Sequence, residues 1–284
     1  MKLFTPVSPE RSCVSISLSD RVMLLGSCFS DEIASRMHQA GFSICANPFG
    51  KLYNPASLSD AVERLQSGRK FTEDDCVTMG AGSGLVCSFR HHTSFARPDA
   101  GSFLENANAR LEEACGFWHD CNKVIVTLGT AFVWDHRERG IVSNCLKRDA
   151  SEFRHYMLSV EQCAALLEKI KVNAPGKQFI FTVSPIRHMS MGAHQNTLSK
   201  STLHLAVDRM LQDGTVSYFP ACEILCDELR DYRFYAEDLV HPSKMAADII
   251  WERFKESAVP KEELVTVAEN EKAAKRGMHR SLIP

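Results

Sequence analysis

The sequence has almost no excess of charge of one sign. Its 33 Lys and Arg residues nearly balance 35 Asp and Glu residues, which leaves a formal net charge of −2 over 284 residues. Proteins that bind nucleic acid or an anionic membrane surface through their electrostatic field need a basic excess, so neither partner is expected. The sequence also lacks any run of about 18 apolar residues, so no membrane-spanning helix is predicted. It has no repeat period and no low-complexity tract.

Cysteine is plentiful, with 11 residues, but it lacks the regular spacing of a disulfide framework. An odd number of scattered thiols, in a chain long enough to bury its own core, is typical of a reduced cytoplasmic protein. The first residues show no signal-peptide pattern, which favours the same compartment. Cys222 and Cys226 lie one helical turn apart, but no Cys-x-x-Cys pair or matching His spacing accompanies them. We therefore expect neither a metal nor another cofactor.

Short apolar segments alternate with amphipathic ones along the chain. Buried strands are predicted over residues 21–25, 123–128, 178–183 and 216–219, and hairpins within 76–89 and 132–142. Helices are predicted over 30–40, 56–65, 103–118, 159–172, 198–211 and 242–255. This alternation predicts an α/β fold, a three-layer α/β/α sandwich with a mainly parallel central sheet. We expect one domain over residues 1–257 and a polar helical tail over 258–284.

Parallel sheets bind ligands beyond the carboxyl ends of their strands, so the residues that follow the strands are candidates for function. Ser27 follows Gly26 at the end of the first strand, where the start of a helix favours a developing anion. Alone, Ser27 is more simply explained as a helix cap. Asp238 and His241 lie three residues apart, so the carboxylate can orient the imidazole as a general base. Alone, this pair is also explained as the capped start of a helix.

The order of these residues resembles that of the SGNH hydrolases, also called the GDSL family, which have a serine after the first strand and an Asp-x-x-His pair near the C-terminus. Longer segments resemble the GSCFA family, a bacterial branch grouped with those hydrolases. The segments lie at 25–30, 47–55, 127–132, 184–188, 196–200 and 227–243, in consistent order over roughly residues 1–257. The resemblance implies an SGNH-hydrolase-like, flavodoxin-like fold.

The resemblance also implies roles for individual residues. Ser27 matches the nucleophile, Asp238 the residue that orients the histidine, and His241 the general base. Gly50 matches a glycine whose backbone N–H joins that of Ser27 in an oxyanion hole.

The third block of the SGNH pattern, Gly-x-Asn-Asp, contains an asparagine that this sequence lacks, since the sequence reads Gly129-Thr130-Ala131-Phe132 there. Thr130 and Asn54 are the two candidates for the missing oxyanion donor. Losing such a donor costs roughly 100- to 1000-fold in rate, which would suit a weak or specialised enzyme. Arg187 and His188 follow the third buried strand and are candidate substrate-binding residues for an anionic group or a sugar hydroxyl. A surface ion pair and an ordinary loop histidine explain them equally well.

The predicted function is a serine esterase that cleaves an O-acyl or O-acetyl ester, and the resemblance implies a carbohydrate or small metabolite as substrate. The alternatives are an O-acyltransferase with the same residues and a ligand-binding protein without turnover. Cys28 is the rival nucleophile, because it lies beside Ser27 at the same helix N-terminus. Adjacent side chains at a turn diverge, so only one can face His241. We predict that Ser27 does so and that Cys28 turns into the core.

Overall fold

The computed structural model describes residues 5–212 and 214–280, so the outer ends of both predicted domain ranges, 1–4 and 281–284, lie outside the described residues. The strands in chain order are β1 (Arg21–Gly26), β2 (Ser43–Ala46), β3 (Val77–Thr78), β4 (Val86–Cys87), β5 (Lys123–Leu128), β6 (Phe132–His136), β7 (Gly140–Val142), β8 (Phe153–Met157), β9 (Gln178–Val183) and β10 (Val216–Tyr218). The helices are α1 (Cys28–Gln39), α2 (Pro55–Ser67), α3 (Ala100–Asp120), α4 (Val160–Val172), α5 (Ala193–Asp208), α6 (Ala221–Glu223), α7 (Lys244–Ala258) and α8 (Leu264–Arg280). α6 continues directly into a π-helix, Ile224–Leu229.

A five-stranded parallel sheet lies at the centre of the protein, in the order β10-β9-β5-β1-β2. Its long strands are apolar runs, which suits strands that are buried on both faces. β1 pairs with β2 on one side and with β5 on the other. The order of the strands therefore reverses at β1, and the crevice beyond the ends of β1 and β5 is the position where such sheets bind ligands.

Helices cover both faces of this sheet and complete three layers. Along β1, Val22 and Leu24 face one helical layer, whereas Met23 and Leu25 face the other. The first face packs against α1, α7 and α8, and the second against α2, α3, α4 and α5. The predicted three-layer α/β fold with a parallel central sheet is confirmed.

Most predicted elements are present, with small shifts at their ends. β5 and β9 have the predicted bounds, and both predicted hairpins are present as the antiparallel pairs β3–β4 and β6–β7. The helix predicted over 198–211 begins earlier, at Ala193. β2 and β8 were not predicted, because β2 is short and only partly buried and β8 interrupts its apolar residues with Arg154 and His155.

A three-stranded antiparallel sheet, in the order β7-β6-β8, is inserted between β5 and α4. The chain leaves the central sheet at Ala131 and returns at Leu158, whose N–H donates to the Ala131 carbonyl at 3.0 Å. Phe132 and Trp134 lie on one face of β6 because side chains alternate along a strand, and His155 lies opposite Trp134 on β8. This face supplies one wall of the cavity at the candidate site.

α8 packs against the rest of the fold. Asn270 Nδ2 donates to the Ala40 carbonyl at 3.0 Å, and Glu271 accepts from Trp251 Nε1 at 2.6 Å. Val267 is fully buried. The boundary at residue 257 between domain and tail stays a prediction. Within the described part of the chain, none of the helices combines the length and apolarity needed to cross a membrane.

Candidate active site

A cavity of about 420 Å³ opens at the carboxyl edge of the central sheet. The segments that follow β1, β5 and β9 contribute Cys28, Thr130 and Arg187 to its lining. The loop before α7 contributes His241, and the loop before α2 contributes Asn54. A cavity of this size suits a small ligand. Because separate loops converge on it with polar and titratable side chains, we treat it as the candidate active site.

Asp238 and His241 form a closely bonded pair on the loop before α7. Asp238 Oδ2 lies 2.6 Å from His241 Nδ1, and Asp238 Oδ1 accepts the backbone N–H groups of His241 and Val240, both at 2.9 Å. These hydrogen bonds, the two backbone ones first, lower the pKa of Asp238 to about 2. The ionised carboxylate holds the imidazole proton on Nδ1, which leaves His241 Nε2 as an acceptor.

Cys28 is the residue that faces this histidine. Its Sγ lies 3.3 Å from His241 Nε2, and its side chain is half-buried in the cavity wall. Burial raises the pKa of the thiol above its ordinary value of 9.0, although the charge of Lys51 and the backbone N–H groups of Cys28 and Phe29 act in the opposite direction. The resting group is therefore a protonated thiol next to a base that can take its proton.

Ser27 points the opposite way, into the sheet. It is fully buried, and its Oγ donates to Ser184 Oγ at 3.1 Å. Its backbone N–H donates to the Thr127 carbonyl at 3.2 Å. The predicted arrangement, with Ser27 against His241 and Cys28 in the core, is therefore wrong.

Gly26 provides the physical reason for this orientation. Its φ is 147°, and a Cβ added there would lie 2.3 Å from the Thr127 carbonyl oxygen. β1 therefore stays tightly against β5 up to its last residue. Ser27, as the N-cap of α1, still lies within the sheet, and Cys28 is the first side chain that emerges at the cavity.

Gly50 does not line the cavity. Its backbone N–H, which was predicted to donate to an oxyanion, donates instead to the Asn47 carbonyl at 2.8 Å. The space beside its Cα is filled by His92, whose Cβ would lie 2.4 Å from an added Cβ. The predicted role of Gly50 is wrong, because the N–H is already used within a turn.

Asn54 and Thr130 both line the cavity, as expected of the two candidate donors. Asn54 caps α2 with its Oδ1, which accepts the N–H of Ser57 at 2.9 Å, and its Nδ2 has no acceptor among the described residues. The backbone N–H of Thr130 donates to the Tyr53 carbonyl at 2.9 Å, and its Oγ1 lies 3.0 Å from Ser199 Oγ. Asn54 therefore has two N–H donors to offer, whereas Thr130 has its hydroxyl alone.

Arg187 and His188 lie at the cavity, where they were predicted. The backbone N–H of His188 donates to Asn196 Oδ1 at 2.9 Å, while its ring Nε2 is buried and has no partner within the described part of the chain. Burial, together with the charges of Lys200 and His241, lowers the pKa of His188 to about 4. The ring is therefore neutral and has a free nitrogen in the site.

Lys200 does not line the cavity, but it bonds two strand ends beside it, and it was not predicted. Its Nζ donates to the carbonyl oxygens of Gly129 and Ser184, both at 2.7 Å, and so ties the end of β5 to the end of β9. Burial lowers the pKa of Lys200 to about 8. The one sequence signal for it was its place in segment 196–200, which carries the family resemblance.

Cys222 and Cys226 form a thiol pair where α6 passes into the π-helix. The hydrogen bond from Cys222 lowers the pKa of Cys226 to about 7, and the pKa of Cys222 is raised. Neither residue is part of the cavity lining. Across residues 5–212 and 214–280, no group of three or more His, Cys, Asp and Glu side chains is arranged to hold a metal ion.

Comparisons with known proteins concern the family and the fold. The sequence profile of the GSCFA family matches residues 21–254, which include every residue of the candidate site. No curated protein matches the sequence.

The solved structures that are similar to this chain include three esterases. One is a carbohydrate esterase of family 3 from Talaromyces cellulolyticus, with 9% identity and a TM-score of 0.40 over 88% of this chain and 99% of the other. Another is a family two carbohydrate esterase from Clostridium thermocellum in complex with cellohexaose, with 14% identity and a TM-score of 0.38 over 85% of this chain and 65% of the other. The third is an acetyl xylan esterase from the rumen bacterium Butyrivibrio proteoclasticus, with 10% identity and a TM-score of 0.39 over 86% and 65%.

Proposed function

The chain belongs to the GSCFA family, and from the geometry of its candidate active site we propose that it is an acyl-ester hydrolase whose nucleophile is Cys28. The observation that carries the proposal is the 3.3 Å separation between Cys28 Sγ and His241 Nε2. Asp238, bonded to the other ring nitrogen, completes a nucleophile, base and orienting acid. The esterase activity expected from the sequence is kept, and Cys28 replaces Ser27 as its nucleophile.

The reaction proceeds in two steps. In the first, His241 Nε2 takes the proton from Cys28 Sγ, the sulfur attacks the ester carbonyl carbon, and the C–O bond breaks as the imidazolium returns the proton to the leaving alcohol. The product of this step is a thioester on Cys28. In the second step, His241 removes a proton from water, the hydroxide attacks the thioester, and the departing thiolate regains the proton. The carboxylic acid is released and no cofactor is consumed.

Two sets of donors support the oxyanion that forms in each step. The backbone N–H of Cys28 begins α1, so it has no acceptor within that helix, and it lies at the positive end of the helix dipole. The amide Nδ2 of Asn54 lies in the same cavity lining and carries two N–H groups without acceptors among the described residues. Asn54 thus takes the place of the missing third-block asparagine, with Thr130 as an adjacent polar group.

We propose that the substrate is an O-acyl or O-acetyl ester of a carbohydrate or small metabolite. The cavity volume of about 420 Å³ supports a substrate of this size. Its lining combines aromatic side chains with amides and hydroxyls, which suits a ligand with both apolar faces and hydroxyl groups. An O-acyltransferase would use the same residues, with an alcohol in place of water.

The decisive experiment compares variants of the two neighbouring residues with p-nitrophenyl acetate as substrate. Cys28→Ala is expected to abolish the turnover that depends on the triad. At most a residual rate, roughly 10³- to 10⁴-fold above the uncatalysed reaction, should remain. Ser27→Ala is the matched control, and it should retain turnover while the protein loses about 1 kcal/mol of unfolding free energy with the bond to Ser184. Intact-mass measurement of the quenched reaction should find one acyl group, bound at Cys28 and removed by neutral hydroxylamine.

The opposite result would overturn the cysteine mechanism: loss of turnover in a folded Ser27→Ala protein, with Cys28→Ala still active. Absence of both turnover and acyl adduct with a panel of acyl esters would instead favour a ligand-binding protein. Adding acceptor alcohols to an active sample separates the hydrolase from the transferase, because a transferase yields a new ester at the expense of free acid.

A further inference from the structure

The described side chains that line the cavity carry positive charge and no negative charge. Among the described residues that line it, Arg187 carries a fixed positive charge, and none is an aspartate or a glutamate. No carboxylate of the described residues pairs with Arg187, whereas many arginines elsewhere on the surface have such partners. A half-buried guanidinium that faces a cavity without a counter-ion is suited to an anion that arrives with the ligand.

Arg187 is also held in place by its own neighbours. Its backbone N–H donates to the Val240 carbonyl at 3.2 Å, and its guanidinium donates to the Leu239 carbonyl at 3.4 Å. The guanidinium carbon lies 5.6 Å from the centre of the Tyr235 ring. One of its five N–H donors is therefore used within the protein, and the others are available to a ligand.

An aromatic wall lies in the same cavity. The rings of Trp134 and His155 are stacked, with centroids 4.1 Å apart and planes 18° apart, and Phe132 lies 5.3 Å from His155. Asn196, also in the lining, uses its Oδ1 for the backbone of His188, and its Nδ2 has no acceptor in the described part of the chain. An aromatic wall with amide donors at its side is suited to a sugar, which has apolar C–H groups and a rim of hydroxyls.

We propose that the ester cleaved here is carried by an anionic sugar, whose carboxylate or phosphate binds Arg187 while its ring packs on Trp134 and His155. This inference rests on the proposed esterase function and adds the charge of the substrate to it. Arg187 is then a specificity residue, because it binds the anion and takes no part in proton transfer.

A purely structural role predicts a different result, since Arg187 also bonds the loop that carries His241. If it only held that loop, its loss would lower kcat equally for charged and neutral esters. If it binds an anion, its loss raises KM for anionic esters and leaves neutral ones nearly unchanged. The comparison between substrates therefore separates the two roles.

The experiment measures acetate release from mono-O-acetylated methyl glucoside, methyl glucuronide and glucose 6-phosphate by the full-length protein. The wild type should prefer at least one anionic ester by about 10- to 100-fold in kcat/KM, as expected for hydrogen bonds to a charged group. The better anion identifies carboxylate or phosphate as the natural group. Arg187→Gln should lose the preference, Arg187→Lys should keep part of it, and Arg233→Gln, an exposed arginine paired with Asp231, should behave as wild type.

Equal rates of the wild type on all three sugars would overturn the inference, as would an equal loss on all three in a folded Arg187→Gln protein. In either case the esterase proposal would stand, since acetate is still released. Failure to release acetate from any sugar, with p-nitrophenyl acetate still hydrolysed, would likewise reject the anionic sugar and keep the esterase. Failure on all four esters would reject the esterase proposal itself.

Discussion

The Sγ of Cys28 lies 3.3 Å from His241 Nε2, although 213 positions separate the two residues in the chain. Cys28 begins the helix that follows the first strand of the sheet, and His241 lies on the loop before α7, which covers the same face. The buried neighbour Ser27 makes its hydrogen bond to Ser184 and takes no part in this contact. The contact between this thiol and the imidazole therefore follows from the geometry of one turn.

Replacing Asp238 by asparagine should slow catalysis strongly while the loop stays folded. In Asp238→Asn the side-chain oxygen would still accept the backbone N–H groups, but the new amide NH₂ would face His241 Nδ1 and favour the tautomer with the proton on Nε2. We expect kcat to fall by roughly 10³- to 10⁴-fold, as for other triad acids changed to amides. Steady-state kinetics with p-nitrophenyl acetate measures the change. Asp231→Asn, at an exposed carboxylate that pairs with Arg233, is the control and should keep its rate.

Asn54 should contribute separately to helix stability and to the reaction. Serine is as good an N-cap as asparagine, so Asn54→Ser should keep the cap of α2 and the melting temperature but lose the Nδ2 donor. Its kcat should fall by roughly 100-fold or more. Asn54→Ala should show the same loss of rate together with about 1 kcal/mol of lost stability. Unchanged kcat in Asn54→Ser would remove Asn54 from the oxyanion site.

Two cysteines should differ in reactivity in a way that depends on pH. Burial raises the pKa of Cys28, so its thiolate fraction is small at neutral pH, whereas the hydrogen bond from Cys222 lowers the pKa of exposed Cys226 to about 7. Iodoacetamide at pH 7 should therefore modify Cys226 before Cys28, and the difference should shrink as the pH rises to about 9 and above. Peptide mapping of partly alkylated protein measures both rates. Preferential labelling of Cys28 at pH 7 would contradict the prediction and indicate a thiolate stabilised by His241.

Lys200 should make the folded protein more stable as the pH rises above neutrality. Its pKa falls from an ordinary 10.5 to about 8 on folding, so between these values the unfolded chain binds more protons than the native state. The contribution of Lys200 to stability therefore increases with pH across this window, by about 1 kcal/mol per pH unit, and is constant below about pH 8. Urea unfolding of wild type and Lys200→Met between about pH 7 and 10 should give free energies of unfolding whose difference changes with this slope. Lys169→Met, at an exposed ion pair with Glu63, should retain the wild-type slope.

The sequence was sufficient for the long central strands and for the loops that reach the candidate site, and insufficient for β2, β8 and the direction of side chains within those loops. β5 and β9 were predicted to the residue, because continuous apolar runs bounded by glycine or proline leave few alternatives. The contact of Asp238 with His241 also follows from their spacing.

The choice between Ser27 and Cys28 required the φ of Gly26 and its close approach to Thr127, which belongs to a strand about a hundred residues away in the chain. Lys200 was missed for a related reason. Its partners are backbone carbonyls at the ends of two other strands. Hydrogen bonds to the backbone of distant strands cannot be predicted from the pattern of side chains in the sequence.

The small sheet β7-β6-β8 makes part of the cavity wall separable in sequence from the rest of the site. It supplies Phe132, Trp134 and His155 to the cavity, yet it begins and ends at the hydrogen-bonded pair Ala131 and Leu158. The proposed nucleophile, base and acid are all encoded elsewhere in the chain. Under the proposed function, the aromatic wall of the cavity and the reacting groups thus lie in separate stretches of sequence, and an exchange of residues 132–157 between relatives would change that wall and leave the reacting groups in place.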